Sequence, residues 1–129
     1  MSWLATSPSP RTLGEALALR PDLLAGLRGL EAAFVAEPTL DANLRLRCRL
    51  RIAQLLGVPG TVATPPDPDD VVVEFVEQFV LDVHGVSDAL VSRLGAVLSP
   101  RAIVALAQAT AVWEGECLLA RCLRVAPEI

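Results

Sequence analysis

VVVEFVEQFVLDVHGVSDALVSRL, residues 71–94, is the stretch whose reading decides the fold. Val72, Phe75, Val76, Phe79, Val80 and Val83 recur at steps of three and four, which gathers them on one face of an α-helix. Glu74, Glu77 and Gln78 lie largely off that stripe. Ahead of it, Asp67 is placed as N-cap and Pro68 as first helical residue, with Asp69 and Asp70 complementing the positive helix end. Gly85 breaks the helix and Ser87 can cap the next one. The stretch therefore predicts two helices joined by a sharp corner.

Outward from it, the same signals recur. Thr12 and Glu15 form a T-x-x-E capping box before a short helix through Leu19. Pro21 restarts helix, Leu23, Leu24, Leu27, Leu30 and Phe34 repeat at helical spacing, and Pro38 stops it. A third helix runs from Thr39–Asp41 to Gly57, a C-terminal glycine signal. Ser99 and Pro100 are a second N-cap and N1 pair, opening a final helix through about Leu123.

Residues 44–52, LRLRCRLRI, alternate apolar and charged as a half-buried strand does. No second alternating segment exists to pair with them, and a lone strand leaves its backbone groups unsatisfied. Helix is the consistent reading. It splits the arginines into two rows, Arg45/Arg49 and Arg47/Arg51, with Asp41 one turn before Arg45 as its expected partner. Residues 58–67 are a Pro-rich linker and residues 1–11 a loose tail, leaving 12–129 as one domain. The predicted class is all-α, an antiparallel helical bundle.

The chain has 129 residues, 53% of them hydrophobic, with mean hydropathy +0.49. Charged residues interrupt every apolar run before the roughly 18 residues a membrane span needs, and no secretory signal pattern opens the chain. Apolar excess of this kind implies subunit interfaces, so a cytoplasmic homo-oligomer is expected. A net charge of −4 argues against nucleic-acid binding. All eleven basic residues are arginine, a composition expected of a GC-rich, bacterial genome. Cys48, Cys117 and Cys122 form no CxxC. On one helix Cys117 and Cys122 point about 140° apart, so all three are expected to be small buried residues.

Two stretches resemble the AhpD-like, carboxymuconolactone decarboxylase family: LRLRCRLRIAQLLG at 44–57, and EFVEQFVLDVHGVSDALVSRL at 74–94 followed by SPRAIVALAQATAVWEGECLLARCLRV at 99–125. They cover roughly the last two thirds of the chain. The resemblance implies an AhpD-like helical bundle assembled as trimer or hexamer. In peroxidatic members a CxxC opens a helix, a His follows four residues after the second Cys, and a Glu precedes the first by twelve. A helix N-terminus stabilises the thiolate, the second thiol resolves the oxidised sulfur, and Glu and His relay the proton. Here Val58 and Thr61 occupy the cysteine positions, Pro65 the histidine position and Leu46 the glutamate position. The expectation is a non-catalytic or small-ligand-binding homo-oligomer without the redox centre, taking a small apolar or acidic ligand.

Two alternatives stand beside it: a structural subunit of a larger complex, and an alkylhydroperoxidase- or decarboxylase-like enzyme with a rebuilt site. The candidates for that site are His84, Glu74, Glu77 and Cys48. His84 is the sole histidine, a base or a cap at a helix corner. Cys48 lies between Arg47 and Arg49, which would favour its thiolate. One histidine without a second metal-binding neighbour makes a poor metal site, so no metal and no cofactor are expected. Glu114 and Glu116 beside Trp113 complete the set. If buried they need an arginine, Arg121 or one of 45–51, and serve either as a core ion pair or as an acid of raised pKa in a small cavity.

Overall fold

Six helices, a 3-10 turn and connecting loops make up the described residues, 4–61 and 67–129, of the computed structural model. They are α1 (Leu13–Leu17), α2 (Pro21–Ala36), α3 (Ala42–Leu55), α4 (Val71–Leu81), α5 (Asp88–Gly95) and α6 (Pro100–Leu123), with the 3-10 turn at Val83–Gly85. The fold is all-α, with no strand among the described residues. Residues 44–52 lie within α3, so the strand-like alternation gives way to helix.

Three caps sit where the sequence puts them. Thr12 Oγ1 accepts from the Glu15 N–H at 3.1 Å, Ser87 Oγ from Leu90 at 3.1 Å and Ser99 Oγ from Ala102 at 3.2 Å. Each satisfies an amide that the first helical turn cannot. Gly57 follows α3 at φ +68°, and the Val58 N–H reaches back to the Ala53 carbonyl, which closes the helix with a left-handed residue.

Two boundaries differ. α4 starts at Val71, because Asp70 rather than Asp67 is the cap: its Oδ1 accepts from Val72 and Val73, while Oδ2 accepts from Arg47 Nε at 3.0 Å. α4 ends at Leu81, four residues before Gly85. Asp82 leaves helical geometry at φ −161°, and its side chain accepts from the His84 N–H to start the 3-10 turn. Val83, expected on the buried stripe, is consequently exposed.

α3, α4 and α6 pack on one another and form the centre, with α5 against α4 and α6. Leu40, Cys48, Ile52, Val76, Leu94, Leu106 and Thr110 are fully buried there. Each large apolar side chain so buried contributes about 1.5–3 kcal/mol relative to an exposed one. The leucines of α2 do not follow. Leu23 is 56% exposed and Leu30 42%, and Phe34 is the one fully buried residue of that helix. α6 is long and apolar enough by length and composition to cross a membrane, but Leu106, Ala109, Thr110, Trp113, Glu116 and Cys117 pack it into the core.

Residues after α6 run back along the start of α1. Thr12 and Ala126 form a parallel bridge, with Leu13 N–H to the Ala126 carbonyl at 2.8 Å and Ala126 N–H to the Arg11 carbonyl at 2.9 Å. Glu128 Oε1 accepts from the Gly14 N–H at 2.8 Å, in space that any Cβ at position 14 would fill. Pro10, in the expected loose tail, is buried.

Candidate functional site

The two arginine rows of α3 face different neighbours. Arg47 and Arg51 turn toward α4, where Arg47 meets Asp70 and Arg51 Nε meets Glu77 Oε1 at 2.7 Å. Arg45 and Arg49 turn toward α2 and α6. The expected Asp41–Arg45 pair does not form, because Asp41 Oδ1 caps α3 by accepting from the Leu44 N–H at 2.9 Å. Arg45 Nη1 instead donates to the Leu40 carbonyl. Arg45 is the one arginine of α3 without an ion pair among the described residues.

Arg49 joins a polar cluster in which Glu116 is buried, Glu31 half-buried, and Arg28 and Glu128 exposed. Its Nη2 donates to Glu116 Oε2 at 3.1 Å and to the Glu128 carbonyl at 2.7 Å, and its guanidinium lies 5.9 Å from the ring centre of Trp113. Arg28 extends the cluster, pairing with Glu31 at 3.0 Å and Glu128 at 2.6 Å. Glu116 is 5% exposed, and its Oε1 has no donor among the described residues. Burial pushes its carboxyl up to about 7, the Glu31 carboxyl beside it pushes the same way, and Arg49 opposes both.

A cavity of about 270 Å³ opens beside the cluster. Glu31, Phe34 and Val35 of α2 form one wall, Arg45, Leu46 and Arg49 of α3 another, and Trp113 and Ile129 complete it. Phe34 meets Trp113 edge-on, with ring centres 6.1 Å apart at 64°. A larger, shallower groove of about 570 Å³ lies across Leu46 and Ile129, lined also by Leu50, Val58, Pro59 and Thr61.

That groove holds the positions where the family resemblance expects chemistry. Val58 is buried, the Thr61 hydroxyl donates to the Val58 carbonyl at 2.7 Å, and Leu46 is 53% exposed. Pro65 lies outside the described residues. No thiol and no acidic side chain lines the groove among the described residues; Thr61 brings its one side-chain hydroxyl.

The other candidates have separate surroundings. His84 is exposed on the 3-10 turn. Glu74 forms a two-pronged pair with Arg93 at 2.8 and 3.0 Å, which holds its carboxyl below the usual range. Glu77 is half-buried against Arg51. Cys48 is fully buried; desolvation raises its thiol to about 12, and the charge of Arg47 does not offset this. The structure thus corrects the low-pKa reading of Cys48. Cys117 is buried and also raised, whereas Cys122 is exposed, contrary to the expectation that all three are buried. No group of three metal-binding side chains occurs among the described residues.

Comparison with known proteins gives no matching family model, no matching curated protein and no matching solved structure. The site therefore rests on its own geometry.

The sequence offers Glu114 and Glu116, with Arg121 or an arginine of 45–51 as partner; Glu116 meets Arg49, while Arg121 donates to the Gly57 carbonyl at 2.6 Å. It gave no reason to single out Glu31, Arg28 or Glu128. The three-residue step from Arg28 to Glu31 was a usable signal, but Glu128 joins from a segment without periodicity.

The thiols supply a direct check. Under native conditions dithionitrobenzoate is expected to label Cys122 alone, with Cys48 and Cys117 reacting only after denaturant is added. Fast labelling of Cys48 in the native state would contradict its buried, neutral environment.

Proposed function

We propose that this chain is an AhpD-like, carboxymuconolactone decarboxylase family protein without the thiol redox centre, acting in the cytoplasm as a non-catalytic, small-ligand-binding homo-oligomer. The observation that carries the ligand-binding part is the cavity bounded by α2, α3 and α6, where an aromatic wall meets the Arg49–Glu116 pair, its carboxylate buried. Small-molecule sites commonly combine an apolar lining with a few convergent polar groups in this way. Val58, Thr61 and Leu46 support the absence of peroxidase chemistry, since none is a thiol or an acid.

Self-association rests on apolar surface that the single chain leaves uncovered. Leu23, Leu30 and Val35 of α2 are exposed, as are Val104, Leu118 and Leu119 of α6. On α6 the uncovered residues Val104, Gln108, Ala111, Leu118 and Cys122 fall at heptad-like steps, an uncharged stripe opposite the buried face. A trimer or hexamer is the proposed assembly.

Size-exclusion chromatography with light scattering tests it. The expected mass is three or six times 13.7 kDa, and Leu118→Glu is expected to shift the population to smaller species. A wild-type mass of 13.7 kDa at micromolar concentration removes the oligomer from the proposal. Ligand-observed NMR against a mixed small-molecule library tests the other half: no fragment competing at the Trp113 wall removes ligand binding.

A further inference from the structure

We propose that the cavity between α2, α3 and α6 binds a small monocarboxylate with an aromatic or branched apolar body, its carboxylate held by Arg45 and Arg49; this rests on the ligand-binding reading above and names its ligand class.

The pattern of ion pairs within the cluster selects the sign. Arg28, Arg45 and Arg49 supply three positive charges, and Glu31, Glu116 and Glu128 are the carboxyl groups that meet them. Glu128 is fully engaged by Arg28 and the Gly14 amide. Glu31 is paired with Arg28 and Glu116 with Arg49. Asp41, one turn before Arg45, has its Oδ1 committed to the Leu44 amide and forms no ion pair among the described residues. Arg45 is therefore the one arginine of the three that lines the cavity wall without a carboxyl partner among the described residues.

The donors fit the same conclusion. Both hydrogen bonds made by Arg49 use Nη2, so its Nε and Nη1 protons carry no bond among the described residues. A guanidinium offers five N–H groups, and a carboxylate takes two of them in parallel. A cationic ligand is disfavoured because each candidate carboxyl already has an arginine: Glu31 has Arg28 and Glu116 has Arg49.

Size and lining define the rest of the molecule. A cavity of roughly 150 Å³ holds one benzene ring. The 270 Å³ here accommodates a ring or a branched aliphatic group with a short acid arm. Phe34, Trp113, Val35, Leu46 and Ile129 provide the apolar surface for that body.

The test uses the Trp3→Phe variant of the full chain, in which Trp113 is the sole tryptophan and reports on the cavity. Phenylacetate, phenylacetamide and 2-phenylethylamine have nearly the same shape and carry a negative, neutral and positive head. The expected result is saturable change in Trp113 emission, with phenylacetate bound at least tenfold more tightly than either analogue. Arg45→Gln is expected to erase that preference and Arg45→Lys to keep most of it, with unchanged far-ultraviolet circular dichroism in both. Equal or tighter binding of the amide or the amine overturns the ligand class and leaves a ligand-binding cavity standing. A carboxylate preference that survives in Arg45→Gln overturns the assigned contact. Silence from all three probes overturns the proposal, and the library screen then separately decides whether the protein binds small molecules at all.

Discussion

Arg49→Ala is expected to destabilise the fold by about 3–5 kcal/mol at pH 8, the usual cost of leaving one partner of a buried ion pair behind. In a domain of this size that lowers Tm by roughly 10–20 °C. The loss has three parts: Glu116 loses its cation, the Glu128 carbonyl its donor, and the Trp113 face its guanidinium. The effect depends on pH in a defined direction. The folded-state pKa of Glu116, about 7, lies above the ordinary carboxyl value of 4.5, so the folded protein binds more protons than the unfolded chain between those values. The contribution of this group is complete below pH 4.5 and is lost as pH rises toward 7. Its upper limit is about 3 kcal/mol. Glu116→Gln keeps the shape and removes the titration, so it is expected to flatten that part of the stability–pH curve. Combined with Arg49→Ala it is expected to restore part of the lost stability, because no charge is then stranded. Urea denaturation of the four proteins from pH 4.5 to 8 measures all of this. An Arg49→Ala cost below 1 kcal/mol, or a pH slope retained in Glu116→Gln, would show that the pair does not govern the cluster.

Trp113→Ala is the second large effect, about 3–5 kcal/mol. The indole is 3% exposed and stands where α2 and α6 meet, edge-on to Phe34 and beneath Arg49. Its removal joins the 270 Å³ cavity to new empty volume that the flanking helices cannot collapse to fill. Trp113→Phe retains a ring and is expected to cost about 1–2 kcal/mol. Denaturation followed by circular dichroism, with m unchanged, checks both values. A Trp113→Ala cost near zero would mean that α2 is not held to the core through this contact.

How much of this could be read beforehand varies with the range of the interaction. Caps made by Thr12, Ser87 and Ser99 were legible because donor and acceptor lie three residues apart. The start of α4 was not, because residues 67–70 offer three aspartates as caps. Arg47 meets Asp70 from another helix, a contact that pattern alone does not reveal. Asp41 had two possible partners, and the helix amide took it in preference to Arg45. The leucines of α2 show a different limit: periodicity identifies a face, but whether the face is buried depends on what packs there. At the site, Glu116 stood out as a carboxyl among apolar neighbours in a helix. Glu31 acquires meaning only once α2 lies against α6, and Glu128 only once the chain returns to α1.

That return sets an order of assembly. Gly14 meets Glu128 across 114 positions, Arg28 meets it across 100, and Arg49 reaches its carbonyl across 79. Contacts of such separation close late, after the local helices and the α3–α4 pairing have formed. During synthesis, α1 and α2 leave the ribosome long before residues 126–128 exist to stitch them down. Until then Gly14, Arg28 and Arg49 lack the partners that Glu128 gives them. A nascent chain stalled before residue 126 lacks the Glu128 contacts to Gly14 and Arg28, and is expected to hold α1 and α2 less firmly than the finished fold.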